Sequence, residues 1–410
     1  MTAIQTPVTG APVVAPARDR PTDDLIERAR RLAPVIREHA EGMEKQRRVA
    51  KPVFEALANA GFQGLFAPRS LGGLEVDPLT AFRVVEEVAR ADSAAGWALQ
   101  SGNVNAWWSA RFHEDGVEEV YHGNANGVLV GAAFHPPQQA VEVEGGYRLT
   151  GRVPLASMIS DTKWMLFSAF IMDGNQPRMT EFGPAMIAAL LSTSELEILD
   201  TWHSLGMRGT DSADAAFKDV FVPSRRAFAV TPEFQRGKHF QGPLYRFPAV
   251  PIISLFSAAV LLSTARNAID EFLKLAQGKV PMGSQKTVRD RGVAQAGVAT
   301  AEAKWRSARA FFTQSLEHAW SRTIAGEPNT LEHRAELLIA GVHAASTSAE
   351  VTDLIQRLSG TTGIYVRSPI ERYFRDAHTL RNHGFASENK LESAGQIFLG
   401  LPPDFPLLAF

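Results

Sequence analysis

The chain has 410 residues, 45% of them hydrophobic, and a formal net charge of −2. That is enough for two or three globular units or one large interlocked body, with no charge bias toward nucleic acid or an anionic membrane. Cysteine is absent, which excludes disulfides, thiolate nucleophiles, iron–sulfur clusters and structural zinc of the usual type.

Residues 1–20, rich in Pro, Thr, Ala and Val, lack the charged start and apolar core of a signal peptide and read as a disordered tail. Residues 21–127 form a helical domain. "DDLIERARRLAPVIREHAEGMEKQRR" puts Leu25, Ala29, Leu32, Ile36 and Ala40 on one stripe. "DPLTAFRVVEEVARAD" opens with an Asp cap and a proline in its first turn, and "SAAGWALQSGNVNAWWSARF" is apolar almost all round, as a buried helix is.

The texture then changes. Over 128–235, short runs such as "QAVEVEGGYRLTGRV", "KWMLFSAFIM" and "AAFKDVFV" alternate or are rich in β-branched residues, and "EGGY" is a hairpin turn, giving a β-domain. Residues 236–410 return to long helices, over 250–277, about 287–325 and 329–358, which need one another or a partner subunit to bury their faces. No apolar run is expected to reach the roughly 18–20 residues of a spanning helix. The longest, 248–268, is broken by Pro251 and serines and reads as a helix inside the protein, so a soluble cytoplasmic protein is expected.

The run "RYFRDAHTLRNHGFA" (372–386) concentrates titratable side chains. A metal site is disfavoured there: His378 and His383 are five apart, about 140° around a helix, and do not share a face. No G-x-G-x-x-G after a strand, P-loop, G-x-S-x-G or H-E-x-x-H is present.

Three stretches carry a resemblance. "WHSLGMRGTDSADAAFKDVFVPSRR" (202–226), "GFQGLFAPRSLGGLEVDPLTAFRVVEEVARADSAAGWAL" (61–99) and "QRLSGTTGIYVRSPIERYFRDAH" (356–378) resemble segments of the acyl-CoA dehydrogenase fold, in the family's order. The resemblance implies an α+β architecture: an N-terminal helical domain, a central β-barrel-like domain and a C-terminal four-helix bundle. Two departures stand out. The usual C-terminal glutamate base is missing from "RDAHTLRNHGFA", with Glu388 further on, and "AAFHPPQQA" (132–140) replaces the T-E-P-x-x-G-S-D loop. The chain thus resembles the two-component flavin monooxygenases of this fold, whose C-terminal segment reads R-D-…-H, here Arg375, Asp376 and His383.

That resemblance implies an oxygenase component that receives reduced FMN or FAD from a separate NAD(P)H:flavin reductase. It would react the flavin with O₂ to a C4a-hydroperoxide and oxygenate a small aromatic or heteroaromatic such as an indole, phenol or thiophene, with a homotetramer as the expected assembly. It implies roles for His383 as acid/base or substrate-orienting group, Ser157 at the flavin N5 region and Asn105 where relatives carry a histidine, with Asn103 as its rival. Phe134, Arg208, Arg289, Ser359, Gly360 and Gly363 are the further cofactor candidates, the last four toward the distal end or a neighbouring subunit's cofactor in part. Trp97, Trp107, His135 and His378 are the substrate-pocket candidates, against a competing reading of the tryptophans as core. Neither metal nor nucleic acid nor membrane is expected. The alternatives are an acyl-CoA dehydrogenase with tightly bound FAD, and a non-catalytic binding or scaffold protein on the same fold.

Overall fold

The computed structural model describes residues 20–122, 130–181, 183–231, 235–405 and 408. The expected tail, apart from Arg20, and the expected domain boundary at 127 lie outside the described residues.

Five helices come first: α1 (Arg20–Gln46), α2 (Lys51–Asn59), α3 (Pro78–Ala89), α4 (Ser93–Trp108) and α5 (Glu114–Tyr121). α3 and α4 each start on an aspartate. Asp77 accepts from the Thr80 amide and Asp92 from the Ala95 amide, satisfying donors that a helix start leaves open. Nearly every side chain of α4 is buried, so polar groups at Asn103 and Asn105 must find partners inside the protein.

The middle of the chain gives β1 (Val130–Val143), β2 (Gly146–Ala156), β3 (Trp164–Asp173), β4 (Gln176–Pro177), β5 (Met179–Thr180), β6 (Gly183–Pro184), β7 (Met186–Ser192), β8 (Glu197–Leu199), β9 (Ala213–Pro223) and β10 (Ala227–Ala229). The main sheet runs β10-β7-β3-β1-β2-β9-β8. The β1–β2 hairpin closes through Gly145, whose φ of 78° suits glycine. β1 pairs in parallel with β3, with a register shift between Ala133 and Gln138. Leu149, Val153, Phe167, Ala189 and Ala215 fill the inner face as one cluster.

The C-terminal helices are α6 (Ala249–Gly278), α7 (Gly292–Ala325), α8 (Leu331–Leu358), α9 (Pro369–Leu380) and α10 (Lys390–Phe398). α6 packs against α8, α9, α3 and α4, which explains its composition. Contrary to the sequence expectation, its segment Ile252–Gly278 is long and apolar enough to cross a membrane, but 88% of its apolar window is buried inside this protein. Leu261, Leu262, Ile269 and Phe272 are fully inside.

Candidate active site

Three distant segments meet at one indole. Trp97 lies on the second turn of α4, inside the domain. β2 ends in a kinked turn in which Leu155 and Met158 take left-handed backbone conformations, φ 61° and 60°, sparsely populated for such residues. These two residues flank Ser157, and the Met158 amide anchors the loop by donating to the Thr210 carbonyl at 2.8 Å. After α9 ends at Leu380, the chain makes a further turn in which the His383 amide donates to the Leu380 carbonyl at 2.9 Å. His383 therefore sits beyond the helix rather than on it. Its ring meets Trp97 edge-on, with centroids 4.9 Å apart at 69°, while Trp97 Nε1 donates to Ser157 Oγ at 3.1 Å.

Burial sets the charge state of the imidazole. Desolvation pushes the His383 pKa down to about 4, so the ring is neutral at pH 7. Its Nδ1 receives only a long contact, 3.4 Å, from the Phe385 amide. Such a ring can hold or take up one proton at a ligand heteroatom. Behind Ser157 runs a hydroxyl relay: Ser157 to Ser212 at 2.8 Å, Ser212 to Thr210 at 2.7 Å, Thr210 to the Met207 carbonyl at 2.9 Å.

The Arg-Asp pair of α9 has a structural job here. Asp376 accepts from the Met207 amide at 2.6 Å, and Arg375 donates to the Leu205 carbonyl at 3.0 Å while pairing with Glu44 at 2.6 Å and Glu371 at 2.5 Å. The two thereby bolt α9 to the loop that carries the relay. Burial pushes the Asp376 carboxyl up to about 6, against the pull of Arg372 and the Met207 amide. Gly206 is required at the joint, since a Cβ there would stand 2.4 Å from Arg375 main-chain atoms.

The remaining expected residues divide. Asn105 donates to the Val130 carbonyl at 2.7 Å, tying α4 to β1, and Asn103 bridges the carbonyls of Phe62 and Leu99 with its oxygen on the Phe66 amide. Trp107 is buried and donates to the Leu244 carbonyl at 3.0 Å, a core contact. Phe134 packs 5.4 Å from Trp108, His135 is exposed on β1, and His378 lies 4.3 Å from the Phe374 ring with its pKa lowered by burial. Arg208 donates to the Ser204 carbonyl and faces Glu44 at 3.6 Å. It lines a cleft of about 950 Å³ between α1, the 203–208 loop and the start of α9, a cleft that Trp97, Ser157 and His383 do not line.

A second group gathers around a lysine that sequence reasoning missed. Lys279 Nζ donates to the Ser359 carbonyl at 2.5 Å and Thr362 Oγ1 at 2.6 Å, and the Lys279 carbonyl accepts from the Val288 amide. This draws Ser359, Gly360 and Gly363 together with the segment holding Arg289, whose guanidinium is exposed and donates to Gln277 at 2.8 Å. Gly360 has φ 52°, and burial lowers the Lys279 pKa. An ammonium held among neutral oxygens, beside an exposed arginine, fits an anionic tail such as a phosphate. At the other site, Leu155, two residues before Ser157, is 61% exposed and offers an apolar surface that suits a planar ring carrying polar edge atoms. Both groups of residues suit a flavin nucleotide.

Residues 22–119 match the acyl-CoA dehydrogenase N-terminal domain and residues 255–388 the acyl-CoA dehydrogenase C-terminal domain. An indole-3-acetate monooxygenase of Pseudomonas putida is 32% identical over 361 residues, spanning 88% of this chain and 90% of that protein. The chain belongs to the acyl-CoA dehydrogenase family. Within it, the chain is an oxygenase component of the flavin-dependent monooxygenases, which use reduced flavin and O₂. The flavin-dependent monooxygenase oxygenase subunit HsaA of Mycobacterium tuberculosis is 28% identical over 390 residues, covering 91% of this chain and 94% of that one. The crystal structure of the M. tuberculosis HsaA monooxygenase superposes with a TM-score of 0.86 at 25% identity, over 94% of this chain and 99% of that one. XiaF from Streptomyces sp., in complex with FADH2 and glycerol, shares the fold with a TM-score of 0.88 at 23% identity, over 94% of this chain and 98% of that one. The dehydrogenase alternative lacks its base in the described site: Glu388 is exposed and receives the Ser346 hydroxyl at 2.8 Å.

Proposed function

We propose that this family member oxygenates a small planar aromatic substrate of the indole or phenol type at the Trp97–Ser157–His383 wall, using reduced flavin delivered by a separate NAD(P)H-dependent reductase. The observation that carries the reading is the single Trp97 indole, in contact with both the Ser157 hydroxyl and the His383 ring. Bound reduced flavin supplies the activated oxygen. Ser157 holds a polar edge of the flavin ring, and Leu155 covers its face against water. His383, neutral at working pH, takes or returns the proton of the substrate's N–H or O–H as oxygen is added. Lys279, with Ser359 to Gly363 and Arg289, holds the anionic tail of the cofactor. The exposed run Ile364, Tyr365 and Val366 beside that group suits burial against another copy of the chain, in keeping with a tetramer.

The test supplies reduced flavin from an unrelated reductase with ¹⁸O₂ and a panel of indole-3-acetate, simple phenols and thiophenes. One labelled oxygen in the product of an indole or phenol is expected, and His383→Ala should lower product per flavin oxidised by about 100-fold. Reduction of an electron-accepting dye by acyl-CoA, without O₂ consumption, would establish the dehydrogenase reading instead.

A further inference from the structure

The protons of the hydroxyl relay behind Ser157 can be placed by elimination. Thr210 Oγ1 lies 2.9 Å from the Met207 carbonyl oxygen, which only accepts, so the Thr210 proton points there. A hydroxyl has one proton. Across the 2.7 Å contact with Ser212, Thr210 must therefore accept and Ser212 donate. The Ser212 proton is thereby used, so across the 2.8 Å contact with Ser157 it is Ser157 that donates and Ser212 that accepts. Trp97 Nε1, a donor only, fills one Ser157 lone pair at 3.1 Å. What Ser157 has left for a ligand is one lone pair. It meets the site as an acceptor, not as a donor.

The polarity is held firmly. Thr210 and Ser212 are 1% and 5% exposed, so bulk water does not compete for either hydroxyl. Met207, which anchors the chain of donors, has a left-handed φ of 53° and is fixed from behind by the Asp376 carboxylate on its amide.

We infer that Thr210 and Ser212 are positioning residues that make this site selective for reduced over oxidised flavin. The inference rests on the proposed contact of Ser157 with a polar edge of the flavin ring, taken here to be the N5 edge. Reduced isoalloxazine carries an N5–H, a donor that the free lone pair can receive; oxidised isoalloxazine has a bare N5 acceptor, which would face that lone pair unpaired. Discrimination thus arises from two buried hydroxyls that touch no ligand. In an oxygenase fed by a separate reductase, such a bias lets reduced cofactor displace spent cofactor.

The experiment measures dissociation constants for reduced and oxidised flavin separately, under anaerobic conditions, with no turnover. The wild-type chain should hold the reduced form about tenfold more tightly or better, the cost of one unmade hydrogen bond to a desolvated acceptor. Thr210→Val removes the acceptor for the Ser212 proton, so Ser212 can donate to Ser157 and Ser157 to the flavin. Oxidised flavin should then bind more tightly and the ratio should fall about tenfold, whereas Thr210→Ser, which keeps the hydroxyl, should restore it. Ser212→Ala frees the Ser157 proton by another route and should give the same collapse, covering the case in which Thr210→Val folds poorly. A ratio unchanged within about twofold in folded Thr210→Val and Ser212→Ala would overturn the inference. So would equal wild-type affinity for the two forms, which leaves the flavin site itself standing. Binding of neither form would remove the inference and the proposed function together.

Discussion

Replacing His383 by glutamine while varying pH tests the electrostatics of the wall directly. The imidazole titrates near 6.5 in an unfolded chain but at about 4 in the folded one. Between those values the unfolded chain binds more protons, so His383 makes the fold lose stability as pH falls from 6.5 toward 4. For one such group the loss between pH 6.5 and pH 5 is about 1.5 kcal/mol, trimmed toward about 1 kcal/mol because the ring is only half-buried. Asp376 acts with the opposite sign: its folded pKa is raised to about 6, so the destabilisation it causes at neutral pH is relieved on acidification. Asp376 and His378, whose pKa burial lowers, are common to both proteins and cancel in the comparison. The assay is denaturant unfolding of wild type and His383→Gln across pH 5 to 7, read as the difference in slope rather than in absolute stability. Relative to wild type, the variant should gain about 1 kcal/mol of stability as pH falls across that range. Parallel curves would refute the burial of a neutral imidazole at this position, and with it the protonation state used in the proposed chemistry.

Trp97→Phe keeps an aromatic ring near His383 but removes the donor to Ser157; it should cost about 2 kcal/mol of stability and raise hydrogen peroxide released per reduced flavin oxidised, measured with a peroxide assay. Asp376→Ala leaves the buried Met207 amide and Arg372 without the carboxylate they face and should destabilise by about 3 kcal/mol, seen as a lower denaturation midpoint. Gly206→Ala places a methyl group 2.4 Å from the Arg375 main chain and should cost about 3 kcal/mol, whereas Gly395→Ala, whose Cβ meets nothing, should be close to neutral. A Gly206→Ala protein as stable as wild type would mean the joint between α9 and the relay loop is looser than described.

Much of the architecture was legible because periodicity and punctuation are local. The Asp77 cap with Pro78 behind it, the Gly145 hairpin and the long helices of the last third all follow from residues a few positions apart. Ser157 and His383 were reachable through motif resemblance, and the fold brings them to the same indole. What stayed hidden depends on long-range contact. On a helix buried all round, spacing does not say which amide is consumed internally: Asn105, a site candidate, donates to the Val130 carbonyl at the start of β1. Thr210 and Ser212 read as ordinary residues of a glycine turn; their meaning lies in a left-handed Met207 and in a contact 55 positions back along the chain. Lys279 sits in an unremarkable "QGKVPMG" and gains significance only from the Ser359 and Thr362 oxygens that receive it.

Trp97, Ser157 and His383 leave the ribosome in that order, and the imidazole docks only after the last long helices have been made. A nascent chain, or one clipped ahead of residue 383, possesses the indole and the hydroxyl but not the imidazole that we propose meets the substrate. The wall is thus complete only when all three segments are present in one folded chain, and a fragment that keeps the first two cannot stand in for the whole in the proposed chemistry.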